Sequence, residues 1–126
     1  MALSVGVDLV EIERVEKTLE RYGDRFLRRI YLDREIEYCM RKSRPGPSLA
    51  ARFAAKEALF KAAAPLAPKG ERLRLRWKQA EVYRGSSGPP TLNLTGSYRD
   101  VAEGKHLSLS LSHSKTHAIA VVAIGP

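Results

Sequence analysis

A chain of 126 residues with 44% hydrophobic and 29% charged side chains fits one globular domain over residues 1–126, and its single cysteine, Cys39, excludes an internal disulfide framework. No apolar run approaches the roughly 20 residues that span a bilayer, and Met1-Ala2-Leu3-Ser4 lacks the basic start of a secretory signal, so a cytoplasmic protein without membrane association is expected. The net charge of +8 is uneven: residues 1–30 are balanced, whereas residues 41–84 hold 12 lysines and arginines against three glutamates, a block that attracts nucleic acid, a polyphosphate cofactor or an acidic protein without choosing among them.

Residues 5–10 read as a largely buried strand carrying one acid, Asp8, which is costly to bury without a partner; Glu57 is a candidate. From Ile12 the period changes. Ile12, Val15, Leu19, Tyr22 and Phe26 form the apolar stripe of an amphipathic helix, interrupted or re-capped at Gly23-Asp24. Arg14, Lys17, Arg21, Arg25 and Arg28 follow the same period as a basic flank. Asp33 predicts the cap of a short helix to about Lys42, on which Cys39 is an ordinary packing residue. After the break at residues 44–47, Ser48 predicts the cap of an alanine-rich helix to about Ala64, ended by Pro65 and Pro68. Residues 73–77, 80–84 and 91–94 read as strands, with a Gly/Pro turn before the last, and a short helix is expected at about residues 97–103. Residues 107–112 alternate strictly, residues 118–124 are continuously apolar, and the two pair through the turn Ser114-Lys115-Thr116. A strand, then helices, then strands is the order of one α+β unit.

Residue chemistry narrows this further and leaves alternatives. Asp8 and Glu57 supply the hard oxygens that Mg²⁺ prefers, and equally fit ordinary ion pairs. Glu57 and Lys61 stand at i and i+4, the spacing of a surface salt bridge. His113 fits an exposed strand end, and no His/Cys spacing supports zinc.

Three segments resolve these alternatives together: Gly6-x-Asp8, Arg52-Phe53-Ala54-Ala55-Lys56-Glu57-Ala58 with Lys61 following, and Ser110-Leu111-Ser112-His113-Ser114. In this order, across nearly the whole chain, they resemble the holo-acyl-carrier-protein synthases, the short 4′-phosphopantetheinyl transferases. The resemblance implies a long helix packed on a small, mainly antiparallel sheet. It also implies transfer of 4′-phosphopantetheine from coenzyme A to a serine of apo-acyl carrier protein, releasing adenosine 3′,5′-bisphosphate, a step of fatty acid biosynthesis. By the same resemblance, Asp8 and Glu57 hold Mg²⁺ and Lys61 joins them in catalysis, while Arg52, Lys56, Lys61, Gly88, Ser112 and His113 contact coenzyme A. The serine proton passes to Glu57 or to a metal-ordered water. Family members are typically homotrimers with active sites between subunits, and the acidic carrier suits the flank of Arg14, Lys17, Arg21, Arg25 and Arg28. The chain departs from the family at Gly88-Pro89-Pro90, where Gly-Lys-Pro is common. The rival, a nucleic-acid module on the basic block, needs interleaved exposed aromatics; only Trp77 and Tyr83 stand there, so no nucleic-acid partner is expected.

Overall fold

The structure, a computed structural model, describes residues 2–86 and 88–126. Strand β1 (Ser4–Glu11) leads into three helices, α1 (Ile12–Tyr22), α2 (Asp24–Ile30) and α3 (Asp33–Met40), and then the long helix α4 (Gly46–Ala63). An irregular segment follows, then β2 (Ala80–Tyr83), β3 (Thr91–Leu94), α5 (Gly96–Ala102), β4 (His106–His113) and β5 (His117–Gly125). The architecture is α+β, with α4 lying on a three-stranded antiparallel sheet of order β1-β5-β4, and β2 and β3 forming a separate antiparallel ribbon.

Helix α4 begins at Gly46, two residues before the expected cap at Ser48, because Pro47 sits in the first turn, where its missing N–H costs nothing. It ends at Ala63, and Pro65 falls in the single 3₁₀ turn that follows. Its alanines let the sheet approach closely: Ala54, Ala55, Ala58 and Ala62 are fully buried. Gly6 is where β1 touches this helix. A Cβ there would collide with the Ala58 carbonyl oxygen and lie 2.8 Å from the Ala62 nitrogen, and two residues before it Ser4 donates its hydroxyl to Ala62 O at 2.6 Å. The pairing of β1 with β5 is unbroken from Ser4 to Glu11, so Gly6 permits close approach rather than a bulge.

Two apolar clusters result. One joins α4 to the inner sheet face, β2 and α5; the other gathers α1, α2 and α3 around the first half of α4, where Tyr31 donates its hydroxyl to Leu49 O at 2.7 Å. The turn between β4 and β5 forms as expected, with the Ser114 hydroxyl accepting the Thr116 and His117 amides.

Two expectations are corrected, for β1 and for residues 73–77. Strand β1 is not buried on both faces: Val5, Val7 and Leu9 are exposed, as are Ile119 and Val121 on β5, because α4 covers only one side of the sheet. The interruption expected in the apolar stripe at Gly23-Asp24 is present, since Gly23 at φ 54° turns the chain between α1 and α2. Residues 73–77 do not form a strand. Lys56 donates to the Trp77 carbonyl at 3.0 Å, and the Tyr98 hydroxyl accepts the Arg76 amide at 2.8 Å, so side chains satisfy backbone groups that a strand ladder would use.

Candidate active site

Asp8 points from β1 toward α4, which presents Glu57 and Lys61 one turn apart. The Lys61 ammonium donates to Asp8 Oδ1 and to the Val7 carbonyl, both at 3.1 Å. The pair is asymmetric: the Asp8 side chain is 12% exposed and that of Lys61 52%. Glu57 shares with Asp8 a cleft of about 460 Å³ that is also lined by Arg14, Thr18, Phe53 and His117. Burial and then the Asp8 charge push the Glu57 carboxyl above the ordinary glutamate range, and Lys61 only partly opposes them. Two carboxylates facing one ammonium leave negative charge that a cation would neutralise. Among the described residues no cluster of three or more His, Cys, Asp or Glu side chains forms, so protein donors number two. Two oxygen donors in an open cleft fit Mg²⁺, which keeps waters and substrate phosphate, and not the closed shell of structural zinc.

A second cleft, of about 260 Å³, is lined by Arg52, Ser112 and His113 together with Tyr38, Lys42 and Arg84. Arg52 is 5% exposed, its guanidinium lies 4.3 Å from the Tyr38 ring centroid, and its buried Nε has no hydrogen-bond partner among the described residues. Lys42 stands 4.7 Å from the same ring. Burial pushes the Tyr38 phenol up, but Lys42 and Arg52 outweigh it, and the net shift is downward. An orphaned guanidinium N–H among further cations is suited to phosphate. His113 is exposed, with Nδ1 3.1 Å from Ser114 O. Gly88, at φ 98° in a conformation that favours glycine, is exposed on the turn before Pro90; Pro90 lines this cleft and Gly88 does not. The two clefts share no lining residue.

The sequence signature of the 4′-phosphopantetheinyl transferase superfamily matches residues 4–122. Proteins named holo-[acyl-carrier-protein] synthase are 40% identical in Chloroherpeton thalassium over 124 residues, covering 98% of each chain, and 43% identical in Chlamydia trachomatis over 117 residues, covering 93% of this chain and 94% of that one. The chain belongs to the holo-acyl-carrier-protein synthases of the 4′-phosphopantetheinyl transferase superfamily. It is therefore a phosphopantetheinyl transferase. Its fold agrees: an acyl-carrier-protein synthase in complex with coenzyme A from Chronobacterium ammoniagenes superimposes with a TM-score of 0.83 at 29% identity, covering 99% of this chain and 98% of that one. A Helicobacter pylori holo-[acyl-carrier-protein] synthase, also in complex with coenzyme A, gives 0.78 at 31% identity over 96% and 99%.

One expected coenzyme A contact of the enzyme is corrected. Lys56 is fully buried, and its ammonium is spent internally on Glu35 Oε1 at 2.8 Å and on the carbonyls of Trp77 and Ala80. Its reach is inward because it sits on the face of α4 that packs against α3 and β2, away from both clefts. The basic flank is divided between two helices. Arg14 lines the Asp8 cleft, Lys17 pairs with Glu13 at 3.1 Å, Arg21 lies over the Tyr22 ring, and Arg25 and Arg28 belong to α2, where Arg28 is tied to Asp24 at 2.6 Å. Sequence reasoning missed Tyr38, Lys42 and Arg84 beside Arg52; the basic block was the only signal for Lys42 and Arg84, and Tyr38 had none, because nothing in spacing links residues 38, 52, 84 and 113. It also missed Glu35, whose partner Lys56 lies 21 residues away.

Proposed function

We propose that the enzyme works in the cytoplasm as a Mg²⁺-dependent homotrimer, transferring 4′-phosphopantetheine from coenzyme A to a serine of an apo-acyl carrier protein and releasing adenosine 3′,5′-bisphosphate. The observation that carries this reading is the meeting of Asp8 and Glu57 in one cleft, with the Lys61 ammonium bonded to Asp8 beside it, in a chain of this family.

Asp8 and Glu57 would hold the metal, which when bound supplies Lewis-acid polarisation of the pyrophosphate. The carrier serine oxygen attacks the β-phosphorus, the bond from that phosphorus to the bridging oxygen breaks, and the bridging oxygen leaves with the adenosine bisphosphate. Lys61 places its ammonium beside the pyrophosphate and offsets charge that develops there. Glu57, directly or through an ordered water, accepts the serine proton; because a metal-bound carboxylate is a poor base, the water route is the better supported. Arg52, Ser112 and His113, with Tyr38 and Lys42 supporting Arg52, bind the nucleotide-side phosphates. Gly88 shapes the turn beside them.

Because Arg52 and His113 line a different cleft from Asp8 and Glu57, the reading assigns one coenzyme A to the two clefts of neighbouring subunits. The exposed apolar face of Val5, Val7, Leu9, Ile119 and Val121 supports assembly, since a patch of this kind on a small protein calls for a partner. A nucleic-acid partner has less support. Trp77 stacks on Phe53 with ring centroids 4.8 Å apart and is only partly exposed, leaving Tyr83 as the one exposed aromatic near the basic residues it was to interleave with.

The deciding experiment is the mass of an apo-acyl carrier protein incubated with the enzyme, coenzyme A and Mg²⁺. A gain of one phosphopantetheinyl group is expected. Asp8→Ala and Glu57→Ala should each remove most of that gain while leaving the fold intact, and the double variant should be little worse than either, because groups acting as a unit are non-additive. No mass gain with the parent enzyme refutes the transfer; full activity of either single variant refutes the acidic pair.

A further inference from the structure

We infer that Lys61 is the resting counter-ion of the acidic pair: in the free enzyme it stands on the Asp8 oxygen that a divalent cation would take, and it gives way when coenzyme A offers its ammonium a phosphate. This rests on the reading that Asp8 and Glu57 hold a divalent cation.

The geometry is that of a fixed anion and a movable cation. Asp8 is held on β1 opposite Ala120, in a strand that Gly6 seats directly against the α4 backbone, and its side chain is 12% exposed. Lys61 is anchored only through its stem on α4, and its side chain is 52% exposed with four rotatable bonds between backbone and ammonium. Its contacts at this position are one carboxylate oxygen and the Val7 carbonyl. With the Lys61 ammonium half in water, the pair is weak and cheap to exchange. Glu57, on the same helix face, has no carboxylate–ammonium contact with Lys61 within 4 Å, so the ammonium favours the Asp8 side of the cleft. The other charged or titratable groups facing the cleft are Arg14 from α1, Glu11 from β1 and His117 from β5; none is within salt-bridge distance of Asp8.

Two consequences follow from competition for one oxygen. The free enzyme binds divalent cations more weakly than its two carboxylates alone would. Coenzyme A raises cation affinity by drawing Lys61 off Asp8, in addition to any contact between cation and phosphate, and by linkage the cation raises coenzyme A affinity by the same factor.

The test is Mn²⁺ binding to the full-length protein, followed by the paramagnetic signal of free Mn²⁺, without and with coenzyme A. Lys61→Met and Lys61→Gln should each tighten Mn²⁺ binding without coenzyme A by about fivefold, the size expected for removing an exposed ion pair. The further gain on adding coenzyme A should shrink in both. Arg14→Gln, which removes a positive charge from the same cleft without touching Asp8, should leave free-enzyme binding nearly unchanged. Unchanged or weaker Mn²⁺ binding in both Lys61 variants, or equal tightening in Arg14→Gln, overturns the counter-ion role. Asp8→Asn separates the two levels: if it abolishes Mn²⁺ binding while the Lys61 variants do nothing, only this inference fails, whereas parent-like binding by Asp8→Asn removes the acidic metal site itself.

Discussion

Glu35 and Lys56 are the most consequential side chains outside the clefts. The Glu35 carboxylate accepts the Leu32 amide at the start of α3, the Lys56 ammonium from α4 and the Val82 amide of β2, so one buried ion pair ties three elements together. Both side chains are 0% exposed. Burial pulls the Lys56 pKa down and Glu35 pulls it back. Removing one partner strands the other charge, which costs about 3–5 kcal/mol, whereas removing both costs far less than the sum. Glu35→Gln and Lys56→Met should each destabilise by that amount in urea unfolding, with the double variant well short of additive. Additive losses would mean that the two groups act independently. A second pair works at the edge of β2, where Arg34 holds Glu81 through two hydrogen bonds of 2.8 and 2.7 Å and pulls its carboxyl below the ordinary range. A depressed acid contributes stability above its unfolded pKa and loses it as pH falls through the folded one. With Arg34 largely exposed, Glu81→Gln should therefore cost about 1 kcal/mol at neutral pH, and the gap to the parent should close as the pH is taken below the ordinary glutamate value. A gap that is constant with pH would show that packing, not charge, is lost.

At the level of elements, β1 and α4 build the acidic cleft because nothing separates them: Gly6 and the alanines of α4 bring a strand backbone against a helix backbone, and Asp8, Glu57 and Lys61 emerge at the crossing. Helix α1 borders the same cleft through Arg14, Val15 and Thr18. We propose that an acidic carrier docks along α1 at this edge, through Arg14 and Arg21 rather than Lys17 and Arg28, which already have acidic partners. Electrostatic docking sets encounter rate and specificity more than chemistry. Arg14→Glu and Arg21→Glu should raise the apparent KM for carrier severalfold, leave coenzyme A binding nearly unchanged, and flatten the decline of activity with added salt. Parent-like carrier kinetics and salt response in both would move the docking site to the basic segment 41–84.

For the whole molecule, the sheet face that α4 leaves bare is where the proposed trimer would assemble. Val7 and Val121 are paired across β1 and β5 on the face that α4 leaves bare, 50% and 36% exposed. Val7→Asp with Val121→Asp should convert a trimer to monomers in sedimentation and lower transfer activity, with secondary structure retained by circular dichroism. If Asp8 and His113 serve one site from different subunits, mixing inactive Asp8→Ala and His113→Ala chains should restore part of the activity. A parent protein that sediments as a fully active monomer would end the shared-site reading.

What the sequence determined by itself was the chemistry and its order. An acid in a strand, the segment from Arg52 to Lys61 on an alanine-rich helix, and a serine-histidine strand end were legible because each is local: residue type, period and spacing over a few positions specify them. The pairing of β4 with β5 was legible for the same reason, the turn lying between an alternating run and an adjacent continuously apolar one. Tertiary structure decided what depends on neighbours far along the chain. Lys56 and Lys61 stand five residues apart, about 140° around the helix, and sequence marks both as basic members of one motif. Only packing shows that the first faces Glu35 and the turn before β2, and is consumed there, while the second faces Asp8 at the cleft. The outer face of β1 and β5 is the converse case. Valine and leucine read as interior in any strand, and only the placement of α4 on one side reveals that half of them lie on the surface of the chain.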